Sequence, residues 1–415
     1  MIAFQFPPFA GSSGVQRTLR FAQYLPEFGW QPLILTADPR AYERTSTDQV
    51  EDIGNATPVA RALAFDTARH FAFRGRYPGL LARPDRWVSW LPDAVWTGWR
   101  MIRRDRPALL WSTYPIATAH WVGALLQRLS GLPWVADFRD PMAQDGYPPD
   151  PATWHSFKKI ETRTLGHASR CVFTTPGAQR DYAARYPEAA SRLTLIENGY
   201  DEEAFASVAP TEIPLNPGCT TILHSGVVYP SERDPTQLFQ ALRLLLDSGR
   251  LAGRPIRLRF RAPGHDRLLR SLSEHYRLTD IVEILPPIAY RDALEEMLRA
   301  DRLLIMQASN CNDQIPAKLY EYLRARRPVI GLTEPVGDTA WALRNHGIHD
   351  IAPLDDPDAI VEVLARSITQ PSASPDRSLL LNAQSASRRE RTRQLADHLD
   401  AVVAESPRAR RFSLI

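Results

Sequence analysis

IAFQFPPFAGSSGVQRTLRF (residues 2–21) and TILHSGVVYPSERDPTQLFQAL (residues 221–242) open the two halves of this chain in the same way. In each, a short β-rich apolar run enters a glycine-bearing loop and then a segment of helical period, the unit from which parallel sheets are built. Outward from the first stretch, the runs PLILT, ALLWS, WVADF, CVFTT and LTLIE recur before residue 200. Helical segments such as VQRTLRFAQYLPEFG and PIATAHWVGALLQRLSG separate them, the second stopped by Gly131 and Pro133. Outward from the second stretch, IRLRFR, IVEIL, RLLIM and PVIGL repeat the alternation, while SVAPTEIPLNPG between the halves has no period and reads as a linker. The pattern predicts an α/β chain: a Rossmann-like domain over 1–205, a linker over 206–217 and a second Rossmann-like domain over 218–375. A C-terminal helix over 376–405 then crosses back onto the first domain, and 406–415 is a loose tail.

A length of 415 residues suits two or three domains of about 150 residues, and 44% hydrophobic with 23% charged residues is an ordinary globular composition. The 35 prolines, about 8% against a usual 5%, are scattered and punctuate loops. Fifty basic and 47 acidic residues leave a net charge of +3, too balanced for a duplex-binding surface, so nucleic acid is not an expected partner. Only Lys158, Lys159 and Lys318 are lysines, which makes a lysine inside a motif conspicuous. Cys171, Cys219 and Cys311 are widely spaced, which predicts neither a disulfide frame nor a zinc site and fits a reducing cytoplasm. No run of about 18 apolar residues and no export leader are present, so a cytoplasmic protein is expected. The segment from Trp87 to Arg104, with Trp90, Trp96, Trp99, Arg100 and Arg103, suggests peripheral contact at the inner membrane face; burial of those tryptophans in the first domain is the other reading.

Three stretches could carry chemistry. In PPFAGSSGVQR (7–17), Gly11 and Gly14 allow close backbone approach to a ligand at a helix N-terminus, or simply turn the chain from strand to helix; the dinucleotide fingerprint G-x-G-x-x-G is absent. In WVADFRDP (134–141), Asp137, Arg139 and Asp140 end a hydrophobic strand, the edge where α/β proteins bind ligands, and they could equally brace the loop as an internal ion pair. In NDQIPAKLYEYLRARRPVIGL (312–332), Pro316 is suited to be the first helical residue, which puts Lys318 in the first turn, Glu321 on the same face and Asp313 in the loop ahead. A helix N-terminus with a lysine suits a diphosphate, and a carboxylate deeper in suits sugar hydroxyls; Lys318 and Glu321 could also pair with each other.

With FPPFAGSSGVQRTLRFAQYLPEFGW at the start, STYP (112–115), DFRDP (137–141), ENGYD (197–201), HSG (224–226) and PAKLYEYLRARRPVI (316–330), the chain resembles bacterial family-4-type glycosyltransferases that carry a DFRDP loop. The resemblance spans nearly the whole chain. It implies the GT-B fold, two Rossmann-like domains facing across a cleft, the second binding a nucleotide-sugar. In that family two acidic residues separated by seven others hold the ribose and the donor sugar. The matching positions here are Glu321 and Asp313, the latter replacing a glutamate. The family's diphosphate-binding Arg and Lys map onto Val227 and Arg233, so one cation is missing, and Lys318 is the expected replacement. Arg139 stands where many members have a histidine.

The resemblance implies retaining transfer of a sugar from a nucleoside diphosphate sugar to an acceptor hydroxyl, in surface polysaccharide or lipid-linked glycan assembly. Arg233 and Lys318 would stabilise the leaving diphosphate, with Asp313 the third catalytic position. Glu321, Gly226, Gly14 and Gly11 would bind the donor, and Arg139, Asp140 and Asp137 would face the acceptor. No metal or other cofactor is expected. Two alternatives stay open: a sugar-nucleotide epimerase of the same fold, and a non-catalytic sugar- or nucleotide-binding scaffold.

Overall fold

A computed structural model describes residues 1–10, 14–47, 49–54, 56–208, 213–251, 253–369 and 384–406. The chain divides into two units, the first made of Met1–Asn198 with Arg388–Ile415 and the second of Gly199–Ser387.

In the first unit every strand pairing is parallel. Strands β1 (Ile34–Ala37) and β2 (Val59–Ala62) pair with each other, and β3 (Leu110–Thr113), β4 (Trp134–Arg139), β5 (Arg170–Phe173) and β6 (Leu193–Leu195) follow in spatial order. Of the expected strand IAFQF, Ile2 alone forms a bridge, inserted between Leu35 and Ser112. Pro7 and Pro8 have no N–H to donate to a ladder, and the chain turns out of the sheet ahead of them. The helix Gly14–Tyr24 yields to a 3-10 turn at Pro26 and ends on Gly29, whose φ of 80° is left-handed. Gly131 closes the helix Ala117–Ser130 in the same way, as its sequence predicts. Within that helix Gly123 is fixed by packing: a Cβ there would lie 2.9 Å from the indole of Trp134, which is fully buried beside Phe4, Trp90, Phe138 and Phe173.

The tryptophan-rich segment is anchored inward. Trp90 is fully buried, Trp87 and Trp99 pack on the core, and only Trp96 of the four is largely exposed, at 60%. Helical spacing explains this, since one face of Trp90–Asp105 carries Trp90, Ala94, Gly98 and Met101 into the core. The solvent-facing apolar surface lies earlier in the chain. All of residues 69–81 are exposed, including Phe73 at 76% and Leu80 at 79%.

The C-terminal helix, described over Arg388–Glu405, belongs to the first unit. Leu395, Ala396, Leu399 and Val402 join Phe21, Leu25, Trp111, Val135, Val172 and Ile196 in one apolar cluster. Arg391 pairs with Glu197 at 2.5 Å.

In the second unit β7 (Thr220–Ser225), β8 (Ile256–Arg261), β9 (Val282–Leu285), β10 (Arg302–Gln307), β11 (Val329–Thr333) and β12 (Ile351–Ala352) form a parallel sheet in the order β12-β11-β10-β7-β8-β9. The chain runs outward from β7 to β9, then returns to the other side of β7 as β10. The reversal opens a crevice at the carboxyl ends of β7 and β10, where such sheets receive ligands. The unit begins at Gly199, earlier than the expected linker, because the short helix Glu202–Ala206 buries Phe205 against Tyr200 and Leu223. Part of that linker (209–212), residues 370–383 and the tail 407–415 lie outside the described residues.

Candidate functional site

In the second unit, β7 delivers His224, Ser225 and Gly226 to the switch point. Gly226 has φ 109°, open to glycine and strained for other residues. The loop beyond carries Arg233, whose Nη1 donates to the carbonyl of Val227 at 3.2 Å and whose guanidinium lies 5.2 Å from the Tyr229 ring centroid. From the other side of the crevice, the helix Lys318–Ala325 follows β10 and its connecting loop. It begins at Lys318 rather than at Pro316, which sits two residues earlier in a tight turn and accepts the Leu319 N–H. Lys318 is thus the first residue of the helix, and Glu321 follows one turn later.

Lys318 does not pair with Glu321. Its Nζ lies 3.0 Å from Nε2 of His224, while Tyr290 donates its hydroxyl to Oε1 of Glu321 at 2.8 Å. Among the described residues neither Lys318 nor Arg233 has a carboxylate within salt-bridge distance, and the Nε of Arg233 is buried with no hydrogen-bond partner. Elsewhere in this unit arginines are neutralised: Arg259 and Arg261 by Glu296, and Arg324 by Glu202. Burial, and then the nearby charge of Arg233, lower the Lys318 amine to about 7. Burial, then the charge of Lys318, hold His224 well below its ordinary value, so the imidazole is neutral. Tyr322, on the same helix, accepts the Ser225 N–H at 2.9 Å and ties the helix to the end of β7. Asp313 is exposed in the turn before the helix.

The first unit gathers a different set of residues. At the end of β4 the register slips between Asp137 and Arg139, and Arg139 takes a left-handed φ of 60°. That geometry turns its guanidinium toward the loop-to-helix junction, where Nη1 donates to the carbonyl of Gly14 at 3.0 Å. Asp140 is exposed at the same edge. Asp137, expected on the acceptor side, is instead fully buried: Arg17 donates to both its oxygens at 3.0 Å, and Thr113 donates to Oδ2 at 3.0 Å. The brace foreseen between neighbours within the loop is formed with Arg17 of the first helix. Gly11 lies outside the described residues.

The structure therefore brings together Gly226, Arg233, Lys318 and Glu321 in one unit, and Gly14, Arg139 and Asp140 in the other. Sequence reading misses Tyr290, Tyr322 and Arg17; His224, in the HSG motif at the end of a strand, it reads as structural rather than as a general base, without its contact to Lys318.

Residues 13–199 match the family model described as the glycosyl transferase 4-like domain. No curated protein matches the chain by sequence. Among solved structures, a glycosyltransferase from Rickettsia africae superposes with a TM-score of 0.65 at 14% identity, covering 97% of this chain and 99% of that one. Anabaena HepE in complex with UDP-glucose gives 0.65 at 14% identity, over 97% and 100% of the two chains. The lipopolysaccharide outer core galactosyltransferase WaaB in its apo form gives 0.61 at 12% identity, over 96% and 99%. At these identities the likeness is one of fold.

Proposed function

We propose that this chain, which has the GT-B fold and carries a glycosyl transferase 4-like domain over residues 13–199, is a glycosyltransferase that moves a sugar from a nucleoside diphosphate sugar to an acceptor hydroxyl with retention. The observation that carries this reading is the pair of cations at the switch point, Arg233 and Lys318, left without carboxylate partners among the described residues. As the glycosidic bond breaks, negative charge gathers on the leaving diphosphate, and preset cations stabilise that charge more than they stabilise the ground state. Glu321, steadied by Tyr290, is the group for the ribose, and Asp313 the group for the donor sugar. Gly226, without a side chain, leaves room for the Lys318 amine beside the backbone. Gly14, Arg139 and Asp140 serve the acceptor side. HepE was crystallised with UDP-glucose, which favours a uridine donor for the first trials. The acceptor is a glycan or a lipid-linked glycan.

The two cations take the charge-neutralising role that a metal has in other transferases, so the transfer proceeds in chelator. The test is incubation with UDP-, GDP- and ADP-sugars and a panel of glycan and lipid-linked acceptors, with and without EDTA, reading products by NMR. Transfer to an acceptor with the donor's anomeric configuration kept, unaffected by EDTA, is the expected result. An inverted product or loss of activity in EDTA overturns the retaining or the metal-free part, and a donor converted without acceptor points to an epimerase.

Among the described residues no helix is long and apolar enough to cross a membrane. We assign peripheral membrane contact to the exposed loop of residues 69–81, rather than to the inward-facing tryptophans. The stretch 67–84 has Arg69, Arg74, Arg76 and Arg83 and no acidic residue, and it exposes Phe71, Phe73, Tyr77, Leu80 and Leu81. Apolar side chains that enter the headgroup layer beside arginines suit an anionic surface. The double substitution Phe73→Ser/Leu80→Ser should abolish sedimentation with phosphatidylglycerol vesicles at low salt, with Trp96→Ser a lesser effect; equal binding by the double variant contradicts the assignment.

A further inference from the structure

His224 sits in the interior with one ring nitrogen committed on each side. Its Nδ1 lies 3.0 Å from the carbonyl of Leu304 on β10, which can only accept, so the proton is on Nδ1. The Nε2 lone pair is therefore left for the amine of Lys318, 3.0 Å away. On its other side that amine rests against bare backbone: a Cβ on Gly226 would come within 3.2 Å of Nζ. Three elements, β7, β10 and the helix Lys318–Ala325, are thus linked through the two ring nitrogens of His224 and the amine of Lys318.

We propose that His224 is a positioning residue for Lys318: its neutral imidazole, its tautomer fixed by the Leu304 carbonyl, accepts one amine N–H and holds Nζ against Gly226, so that the remaining valences of the nitrogen face an incoming diphosphate. The inference rests on the reading of this crevice as the donor site. An alkyl side chain in place of His224 would leave the lysine free to swing toward Glu321 one turn away, as surface Lys–Glu pairs do. An imidazolium would repel it. A neutral acceptor of fixed orientation does neither.

A consequence concerns protons. The charged groups that face the amine are Arg233 from the loop after β7 and Glu321 from its own helix; His224 itself stays neutral. Burial and Arg233 leave the amine part-protonated near neutral pH. A phosphate oxyanion favours the ammonium, so nucleoside diphosphate binding takes a proton from solvent onto Nζ, with no covalent bond made or broken.

The experiment uses the full chain with UDP, GDP and ADP as probes. Titration calorimetry at about pH 7.5 in buffers of different ionisation enthalpy should show uptake of up to about one proton per nucleotide. His224→Phe should weaken binding about tenfold, the loss of one hydrogen bond to a charged group. His224→Gln, whose amide oxygen can reach the Nε2 position, should recover most of it. A folded His224→Phe protein that binds with wild-type affinity and proton uptake overturns the proposal. If His224→Phe does not fold, lysine-selective 15N labelling decides. The chain has three lysines, and the Lys318 signal should titrate near 7 if the amine stays buried beside His224 and Arg233, whereas titration near 10 shows an amine out in solvent, away from His224, and overturns the proposal. If the wild type binds none of the three nucleotides, the donor reading fails by itself, and the Lys318 titration still judges whether the amine is held.

Discussion

Lys318→Met lowers sugar transfer by two to three orders of magnitude while raising the melting temperature at neutral pH. The first half follows from the geometry: one of the two cations, Arg233 and Lys318, that have no carboxylate partner among the described residues disappears, and removal of one preorganised charge-stabilising group costs on the order of 10²–10³ in turnover. Arg233→Ala should show a loss of similar size. The second half follows from protonation. An unfolded lysine keeps its proton to about 10.5, whereas folded Lys318 releases it at about 7. Between those values unfolding takes up a proton, so the contribution of this side chain to stability becomes more favourable as pH rises through the window and is least favourable below about 7. Methionine removes the penalty, so its advantage in melting temperature should shrink as the pH is raised toward 10. Full transfer activity in Lys318→Met, or a melting temperature that falls at neutral pH, would contradict the assigned role.

The largest loss of stability is expected at Asp137. Asp137→Ala should destabilise the first unit by about 3–5 kcal/mol, since it leaves the guanidinium of Arg17 buried without its partner. The carboxylate joins the helix Gly14–Tyr24 through Arg17 to the ends of β3 and β4, and Arg17 reaches further to the carbonyls of Ile196 and Glu197. Both side chains are almost wholly buried, Arg17 at 4% exposure and Asp137 at 0%. The double variant Asp137→Leu/Arg17→Met should be less damaged than Asp137→Ala, because an apolar pair leaves no unpaired charge. Denaturant unfolding of the three proteins measures this directly. A single variant within about 0.5 kcal/mol of wild type would mean that water reaches Arg17 and that the pair does not brace the fold.

The parallel-sheet architecture was legible because short apolar runs alternate with helical periods in both halves, and because Gly131 closes a helix where the sequence places it. That Lys318 and Glu321 share one helix was legible for a different reason: they lie close in sequence, so their spacing is local. What sequence could not reveal depends on pairing across elements. Arg17 and Asp137 are 120 residues apart, and nothing in either local stretch says that one binds the other rather than a neighbour. The same holds for His224 and Lys318, brought together only because β10 returns beside β7. The tryptophans of the helix Trp90–Asp105 show why two readings stayed open: their spacing is amphipathic, but amphipathicity alone does not say whether the apolar face meets lipid or a sheet.

The helix Arg388–Glu405 completes the apolar cluster of a unit whose first segment ends at Asn198. The second unit is therefore an insertion within the first. During synthesis the ribosome releases the whole second unit before the last piece of the first exists, so the first unit is begun before the second and finished after it. Until then Phe21, Trp111 and Val172 remain open on one side, a face that a chaperone could recognise. Nascent chains stalled before residue 388 should hold a protease-resistant second unit beside an incomplete first one.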